Sequence, residues 1–243
     1  MPIGIMMNSA AIVIGGVIGA FAGEKISEDF KDKLNMIFGI CSMSMGISTI
    51  VLMENMPAVI FAVILGTALG LIIHLGDRIN SAAGKMQKVI GKFVKADNSK
   101  MPEKEYMDTL ITVVVLFCVS GTGIYGSLIS GMSGDHSILI AKSILDLFTA
   151  LIFACMLGMV VAAIAVPQFI IFLLLFLMAG VIYPLTTPAM INDFKACGGI
   201  IMLATGFRII KVKMFPTADM IPAMILVMPL SWLWTAYILP LVG

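Results

Sequence analysis

Residues 137–163 read SILIAKSILDLFTALIFACMLGMVVAA, and only Lys142 and Asp146 are charged within them. A helix needs about 20 apolar residues to cross the hydrocarbon core of a bilayer. The stretch is long enough to do so and predicts a membrane-spanning helix. Because an ionisable side chain inside a membrane is costly, these two charges, one helical turn apart, are the first candidates for a functional site. The alternative is a structural ion pair near the interface.

The rest of the chain has the same apolar character. Of its 243 residues, 60% are hydrophobic and 12% are charged, whereas about 25% are charged in a typical soluble domain. A soluble domain of this size could not bury so much apolar surface. The net charge of +1 argues against a nucleic-acid-binding protein. The composition therefore predicts an all-α, polytopic membrane protein.

Eight apolar segments are candidates for membrane-spanning helices. We number them spans 1 to 8, and they cover residues 5–23, 34–53, 57–74, 109–129, 137–163, 168–185, 196–210 and 220–241. The whole chain, residues 1–243, is therefore expected to form a single transmembrane domain of about eight helices.

The distribution of basic residues supports this count. If eight spans alternate in direction, 13 of the 15 lysines and arginines fall in loops on one side, and only Lys142 and Lys195 do not. Basic loops stay in the cytoplasm. We therefore expect both termini to lie outside, in a prokaryotic cytoplasmic (inner) membrane. The alternative is a miscounted pair of helices.

The long loop at residues 75–108 lies on the cytoplasmic side in this topology. Its apolar residues recur at helical spacing beside a stripe of lysines, namely Lys85, Lys88, Lys92 and Lys95. This pattern predicts an amphipathic helix in the inner interface that contacts anionic lipid. The plainer interpretation is an element that only fixes the topology.

Spans 1–3 resemble spans 6–8. A shift of 160 residues places Gly39 on Gly199 and Gly46 on Gly206. Five crossings separate span 1 from span 6, so the second copy is inverted, as in many secondary transporters. The predicted parts are the first repeat (5–74), the basic loop (75–108), the linking spans 4 and 5 (109–163) and the inverted second repeat (168–241).

Spans 2 and 7 are rich in glycine. Each glycine weakens a helix by about 1 kcal/mol relative to alanine, so we expect both spans to be broken near the bilayer midplane. Carbonyl and hydroxyl groups there could replace the water around an ion. The candidate residues are Ser42, Ser44, Gly198, Gly199 and Thr205. Close helix packing is the alternative reading of the same glycines.

Three further polar residues lie in or beside the spans. Asn8 lies within span 1, Gln168 begins span 6, and Asp193 precedes span 7. Asparagine and glutamine in lipid usually hydrogen-bond across helices, which we favour over ion ligation for Asn8 and Gln168. Asp193 is expected to cap span 7 and to add negative charge near Asp146.

The sequence contains no P-loop, no HExxH and no GxSxG motif, and no nucleophile–base pair stands out. We therefore expect neither an enzyme nor a cofactor, apart from a bound Na⁺. The four cysteines lie in apolar runs and are interpreted as small buried side chains.

The region of spans 4 and 5 contains Gly126-Ser127, Gly134-Asp135, Lys142-Ser143 and Leu145-Asp146. This motif resembles the signature of the YqgA-like family of uncharacterised prokaryotic membrane proteins. The resemblance continues in span 1 and around span 7, and so extends over nearly the whole chain. It implies a polytopic membrane fold. Because the family is labelled a possible sodium channel or pump, it also implies ion transport.

These features predict a membrane transporter or channel for a small cation, Na⁺ or H⁺. Asp146 and Asp193 would supply negative charge, and Lys142 would hold Asp146 when the site is empty. Two alternatives stay open: a secondary transporter of a small organic solute, and a structural or sensory membrane protein that transports nothing. Two small-residue faces, Gly15-xxx-Gly19-xxx-Gly23 and Gly66-xxx-Gly70, are expected to pack helices closely, and they also allow a homodimer.

Overall fold

The computed structural model describes residues 1–22, 27–93 and 103–242, and within these ranges the regular structure is helical. The α-helices are α1 Ile3–Ala22, α2 Glu28–Ile50, α3 Met56–Ile72, α4 Leu75–Phe93, α5 Glu103–Cys118, α6 Gly121–Ser133, α7 Ser137–Leu157, α8 Val160–Ala163, α9 Ala165–Ile182, α10 Pro188–Ile209, α11 Ile221–Leu233 and α12 Leu239–Val242. A 3₁₀ turn (Tyr183–Leu185) follows α9, and a π-helical segment (Trp234–Ile238) joins α11 to α12.

Several helices are long and apolar enough to cross a membrane. By length and composition, the described residues provide five such segments, or six if the bent pair Met56–Ile72 and Leu75–Ala82 counts as one span. The five are Ile3–Ala22, Thr109–Ser133, Ser137–Leu157, Val160–Leu185 and Ile221–Leu241. The expectation of an all-α, membrane-spanning protein is thus confirmed at this level, whereas the count of eight spans is not.

The glycine-rich spans 2 and 7 are continuous helices, so the expectation of a break in each was wrong. They correspond to α2 and α10, which run without interruption over 23 and 22 residues. The glycines do not unwind the helices but face one another across them: Gly46 lies against Gly199, and Gly39 lies against Gly206. The absence of side chains at these positions brings the two backbones close together, which stabilises both helices by packing.

The start of α10 also differs from the sequence-based expectation. The helix begins at Pro188 and not at Ala196, because the Thr187 side chain accepts a hydrogen bond from the Met190 amide and proline suits the first helical position. Asp193 therefore lies inside the helix and does not cap its N-terminus.

The breaks occur in other helices. Span 4 is divided into α5 and α6 at Val119 and Ser120, and the Ser120 hydroxyl caps α6 by accepting a hydrogen bond from the Gly123 amide at 3.2 Å. The helix α7 ends before Gly158, whose φ of 76° and ψ of −156° are accessible without strain only to glycine. A short α8 and then α9 continue the chain.

The chain forms two compact units. The first contains Met1–Met36 and Arg78–Ala179. At its centre α1 packs against α7: Gly15 lies against Leu147 and Gly19 against Leu151, and a methyl group at either glycine would overlap a backbone carbonyl oxygen of α7. Both contacts advance by four residues, so the two helices run parallel. Gly23, the third member of this predicted small-residue face, lies outside the described residues.

The second unit contains Ile37–Asp77 and Gly180–Gly243. Here α3 packs against α11 and the turn that precedes it, with Gly66 against Ala223 and Gly70 against Asp219. Since one residue number rises as the other falls, these two helices are antiparallel. The predicted packing role of the Gly66–Gly70 face is therefore confirmed.

Candidate functional site

The charged pair in α7 is buried and tightly joined. The Lys142 ammonium donates to both oxygens of the Asp146 carboxylate, at 2.8 Å to Oδ1 and 2.6 Å to Oδ2. The two residues are only 4% and 5% exposed. Their spacing of four residues places both on one face of the helix, and that face is turned toward the interior of the first unit.

Two further helices continue the pair into a chain of hydrogen bonds. Asn8, on α1, donates its side-chain Nδ2 to Asp146 Oδ2 at 2.8 Å. Gln168, on α9, donates its Nε2 to Asn8 Oδ1 at 2.9 Å. The Ser9 hydroxyl then donates to Gln168 Oε1 at 2.6 Å. Asn8 and Gln168 are fully buried. We call these five residues, Lys142, Asp146, Asn8, Gln168 and Ser9, the polar chain.

Backbone packing explains how the polar chain assembles. The glycines of α1 let its backbone approach α7, so that the short Asn8 side chain reaches Asp146. Gly16 lies against Ala162 of α8, where a Cβ atom would clash with the backbone. This contact holds the segment leading into α9 close to α1, so that Gln168 reaches Asn8. The expectation that Asn8 and Gln168 bond across helices is confirmed.

The polar chain can hold one positive charge. Asp146 is its only carboxylate, and the Lys142 ammonium neutralises that carboxylate in this arrangement. A cation that took the place of the ammonium would meet both carboxylate oxygens, and oxygen atoms are the ligands that hard cations prefer.

Asp193 lies in the second unit and has its own set of partners. Its Oδ1 accepts from the backbone amides of Glu54 and Asn55, both at 2.9 Å, and its Oδ2 accepts from Asn55 Nδ2 at 2.9 Å and Ser231 Oγ at 2.7 Å. The residue is fully buried. Its carboxylate therefore caps α3, which begins after Asn55, where the helix dipole favours a negative charge. This corrects the expectation that Asp193 caps its own helix.

The remaining predicted residues lie along α2 and α10 of the second unit. Ser42 donates its hydroxyl to the Met202 carbonyl at 3.1 Å, and Thr205 donates to the Ile201 carbonyl at 2.8 Å. Ser44 is exposed and bonds to the Ile40 carbonyl of its own helix. Gly198 and Gly199 are buried in α10. These three hydroxyls thus donate to backbone carbonyl groups of the helices. Asn8, Lys142 and Asp146 form a separate group in the first unit.

Sequence reasoning missed three residues of these two polar groups. Ser9 was not singled out, nor were Asn55 and Ser231 around Asp193. One signal was present in the sequence: the shift of 160 residues that aligns the glycines also places Asn8 on Gln168. Two amides at equivalent positions of a repeat point to a shared polar contact.

Comparisons with known proteins agree with this membrane-protein architecture. A family model described as "Protein of unknown function (DUF554)" matches residues 3–232. The chain belongs to the DUF554 family. This confirms the resemblance that the motif in spans 4 and 5 suggested.

Two similar proteins cover nearly the whole chain. The uncharacterised protein YqgA of Escherichia coli (strain K12) is 44% identical over 237 residues, which are 98% of this chain and 99% of the relative. The uncharacterised membrane protein YdfK of Bacillus subtilis (strain 168) is 28% identical over 227 residues, covering 92% of this chain and 93% of that protein. No solved structure matches the chain significantly.

In this DUF554 member the Ser9 end of the polar chain lies beside a shallow apolar groove. The groove is formed by α1 and α9 and is lined by Ser9, Ala10, Val13, Ala165, Val166, Phe169 and Ile170. Val166 is 63% exposed, so the groove is open at the surface of the unit. The polar chain therefore extends from a fully buried ion pair to an apolar surface.

Proposed function

We propose that this DUF554 protein is a multi-pass membrane transporter or channel that moves a small cation, Na⁺ or H⁺, through the polar chain. The buried Lys142–Asp146 pair is the observation that carries this proposal. Two opposite charges within a span are costly, and an intramembrane ionisable residue usually marks an ion or proton pathway.

Lys142 acts as a built-in substitute for the transported cation. When no substrate is bound, its ammonium neutralises Asp146 and keeps the site closed. An entering Na⁺ takes that place on the carboxylate, or an entering proton binds one carboxylate oxygen, and in both cases the lysine is released. The hydrogen bond from Asn8 holds the carboxylate in one orientation during this exchange.

The proposal includes the expected architecture of eight spans and an inverted repeat. Two observations support the repeat. The shift of 160 residues pairs Asn8 with Gln168, and these two side chains bond to each other. The same shift relates the contact between Gly39 and Gly206 to the contact between Gly199 and Gly46. A local two-fold axis between α2 and α10 would produce this pairing. Both termini lie outside in this arrangement, and the protein belongs to the prokaryotic cytoplasmic membrane.

The basic helix is proposed to contact anionic lipid of the inner leaflet. Residues 75–93 form α4, and Lys85 on this helix is exposed. Lys88 and Lys92 lie on the same helix at a spacing that continues the stripe, and Lys95 lies outside the described residues. A lysine near an anionic surface contributes about 1 kcal/mol to binding.

A structural role without transport is the second candidate. It is favoured by the bonding of the polar chain, in which the carboxylate and both amide groups all have partners. A saturated chain of this kind joins three helices even if no ion ever enters.

The experiment that separates these candidates is cation flux into proteoliposomes containing the purified protein. Asp146→Asn should abolish flux, measured per amount of folded protein in the vesicles. Asp77→Asn, which changes an exposed carboxylate on α4, should leave flux unchanged. Flux at the wild-type rate in Asp146→Asn would exclude the proposed role of the pair and favour the structural candidate.

The identity of the cation can be measured on the same protein. A ligand that binds the native state raises its stability, and the rise grows with the ligand concentration relative to the dissociation constant. Melting temperatures in Na⁺, K⁺ and Li⁺ at equal ionic strength should therefore differ if a metal cation binds. Equal melting temperatures together with pH-driven flux would assign the site to protons.

A further inference from the structure

The break between α5 and α6 lies at the same depth as the buried ion pair. These helices run antiparallel to α7, because the Tyr106 hydroxyl bonds to the Leu157 carbonyl at one end and Gly126 lies against Leu139 at the other. Between these two contacts, Val119 and Ser120 fall opposite the turn of α7 that separates Lys142 from Asp146. The break and the pair therefore face each other across the first unit.

The environment of Cys118 supports this placement independently. Cys118 is the last residue of α5 and is fully buried. Its thiol lies close enough to Lys142 and Asp146 to interact electrostatically with both charges. The end of α5 is thus within reach of the ion pair.

The break leaves polar groups without helical partners. The last carbonyl groups of a helix and the first amides of the next one cannot bond within their own helices. In the first turn of α6, Thr122 is 7% exposed, and within the described residues its hydroxyl has no hydrogen-bond partner. A buried hydroxyl of this kind usually indicates a missing partner, such as water or an ion.

The Lys142 ammonium, at the depth of the α5–α6 break, has one proton that donates to no partner among the described residues. An ammonium group carries three protons, and the Lys142 ammonium bonds only to the Asp146 carboxylate among the described residues. An oxygen atom from the facing break would complete its shell in the empty state.

We infer that the α5–α6 break forms the second half of the cation site, and that the site takes a dehydrated monovalent metal cation. This inference rests on the proposed function. The Asp146 carboxylate supplies the charge, and the backbone carbonyls that end α5 and the Thr122 hydroxyl supply neutral oxygen ligands. A proton needs only one carboxylate oxygen, whereas a dehydrated metal cation needs several oxygen atoms to replace its water. The additional oxygens of the break are therefore suited to a metal cation.

Thr122 provides the test, measured as the apparent affinity for Na⁺ from the Na⁺-dependent rise in melting temperature. Thr122→Val removes the hydroxyl and keeps the shape, and should weaken Na⁺ binding about tenfold. Thr122→Ser keeps the hydroxyl and should retain the wild-type affinity. Thr67→Val is the matched control, because the Thr67 hydroxyl already bonds to the Val63 carbonyl of its own helix. If Thr122→Val does not fold, Thr122→Ala replaces it.

Two results would overturn the inference and leave the proposed function standing. One is an unchanged Na⁺ affinity in Thr122→Val, and the other is an equal loss in Thr122→Ser, which would assign the effect to packing. A wild-type protein with neither Na⁺-dependent stabilisation nor cation flux would instead refute the proposed function, and the inference would fail with it.

Discussion

Removing one member of the Lys142–Asp146 pair should destabilise the protein far more than removing both. Lys142→Met leaves the Asp146 carboxylate, 5% exposed, without its counter-charge. Asp146→Leu leaves the Lys142 ammonium in the same condition. Breaking a buried ion pair in this way costs about 3–5 kcal/mol of unfolding free energy. The two single variants together should therefore lose about 6–10 kcal/mol.

The double variant Lys142→Met/Asp146→Leu removes both charges and fills their space with apolar atoms. Such a replacement is often neutral for stability. The remaining cost comes from Asn8, whose amide nitrogen loses its acceptor, at about 1–3 kcal/mol. The coupling energy of the cycle is then about 3–9 kcal/mol, the difference between the summed single losses and the double loss.

Reversible unfolding by SDS in mixed micelles measures these free energies. The matched control is the cycle at Asp29 and Lys33, an ion pair with the same spacing whose side chains are 75% and 67% exposed. Its coupling energy should be below about 1 kcal/mol. Additive losses at Lys142 and Asp146, within about 1 kcal/mol, would contradict this expectation, because they would mean that the two charges are solvated independently.

Three further predictions concern the surroundings of the site and can be read by the same unfolding assay. Gly158→Ala should destabilise the protein by about 1–3 kcal/mol, because alanine is strained at the backbone angles that end α7; an unchanged stability would mean that α7 ends differently. Gln168→Leu should cost about 1–3 kcal/mol through two lost hydrogen bonds, whereas Ser44→Ala should stay within about 0.5 kcal/mol. Asp193→Asn should cost at least about 1.5–3 kcal/mol, the contribution of one hydrogen bond to a charged group, and a neutral result would contradict its role as the cap of α3.

The sequence is sufficient to predict the ion pair but not its full surroundings. Lys142 and Asp146 lie four residues apart on one helix, so their contact follows from helical geometry alone. The bond from Asn8 depends on the parallel packing of α1 on α7. That packing depends on which carbonyl groups of α7 the glycines of α1 approach. The local sequence of either helix does not specify this pairing.

The glycines illustrate why the expected helix breaks were wrong. A glycine weakens an isolated helix, but it also lets two helices approach closely, and in α2 and α10 the gain from packing is larger than the loss. The actual break in span 4 comes from Ser120, whose hydroxyl starts a new helix. A serine cap within an apolar run is easily overlooked, because the same residue is common inside membrane helices.

The boundary of α10 was misread for a related reason. Asn192, Asp193 and Lys195 are polar, so the segment before Ala196 resembles a loop in composition. The cap at Thr187 and the proline after it were the better signals, since they fix the backbone directly. Tertiary contacts then bury Asp193 within the helix, and composition alone cannot predict this.

The most direct test of the cation site is Na⁺ uptake by proteoliposomes that contain the double variant Lys142→Met/Asp146→Leu. This variant removes the site and is expected to keep the fold, so a loss of uptake cannot be attributed to unfolding. We expect wild-type amounts of folded protein in the vesicles and uptake no faster than in empty vesicles. Uptake at the wild-type rate would contradict the claim that the buried pair is the site of transport.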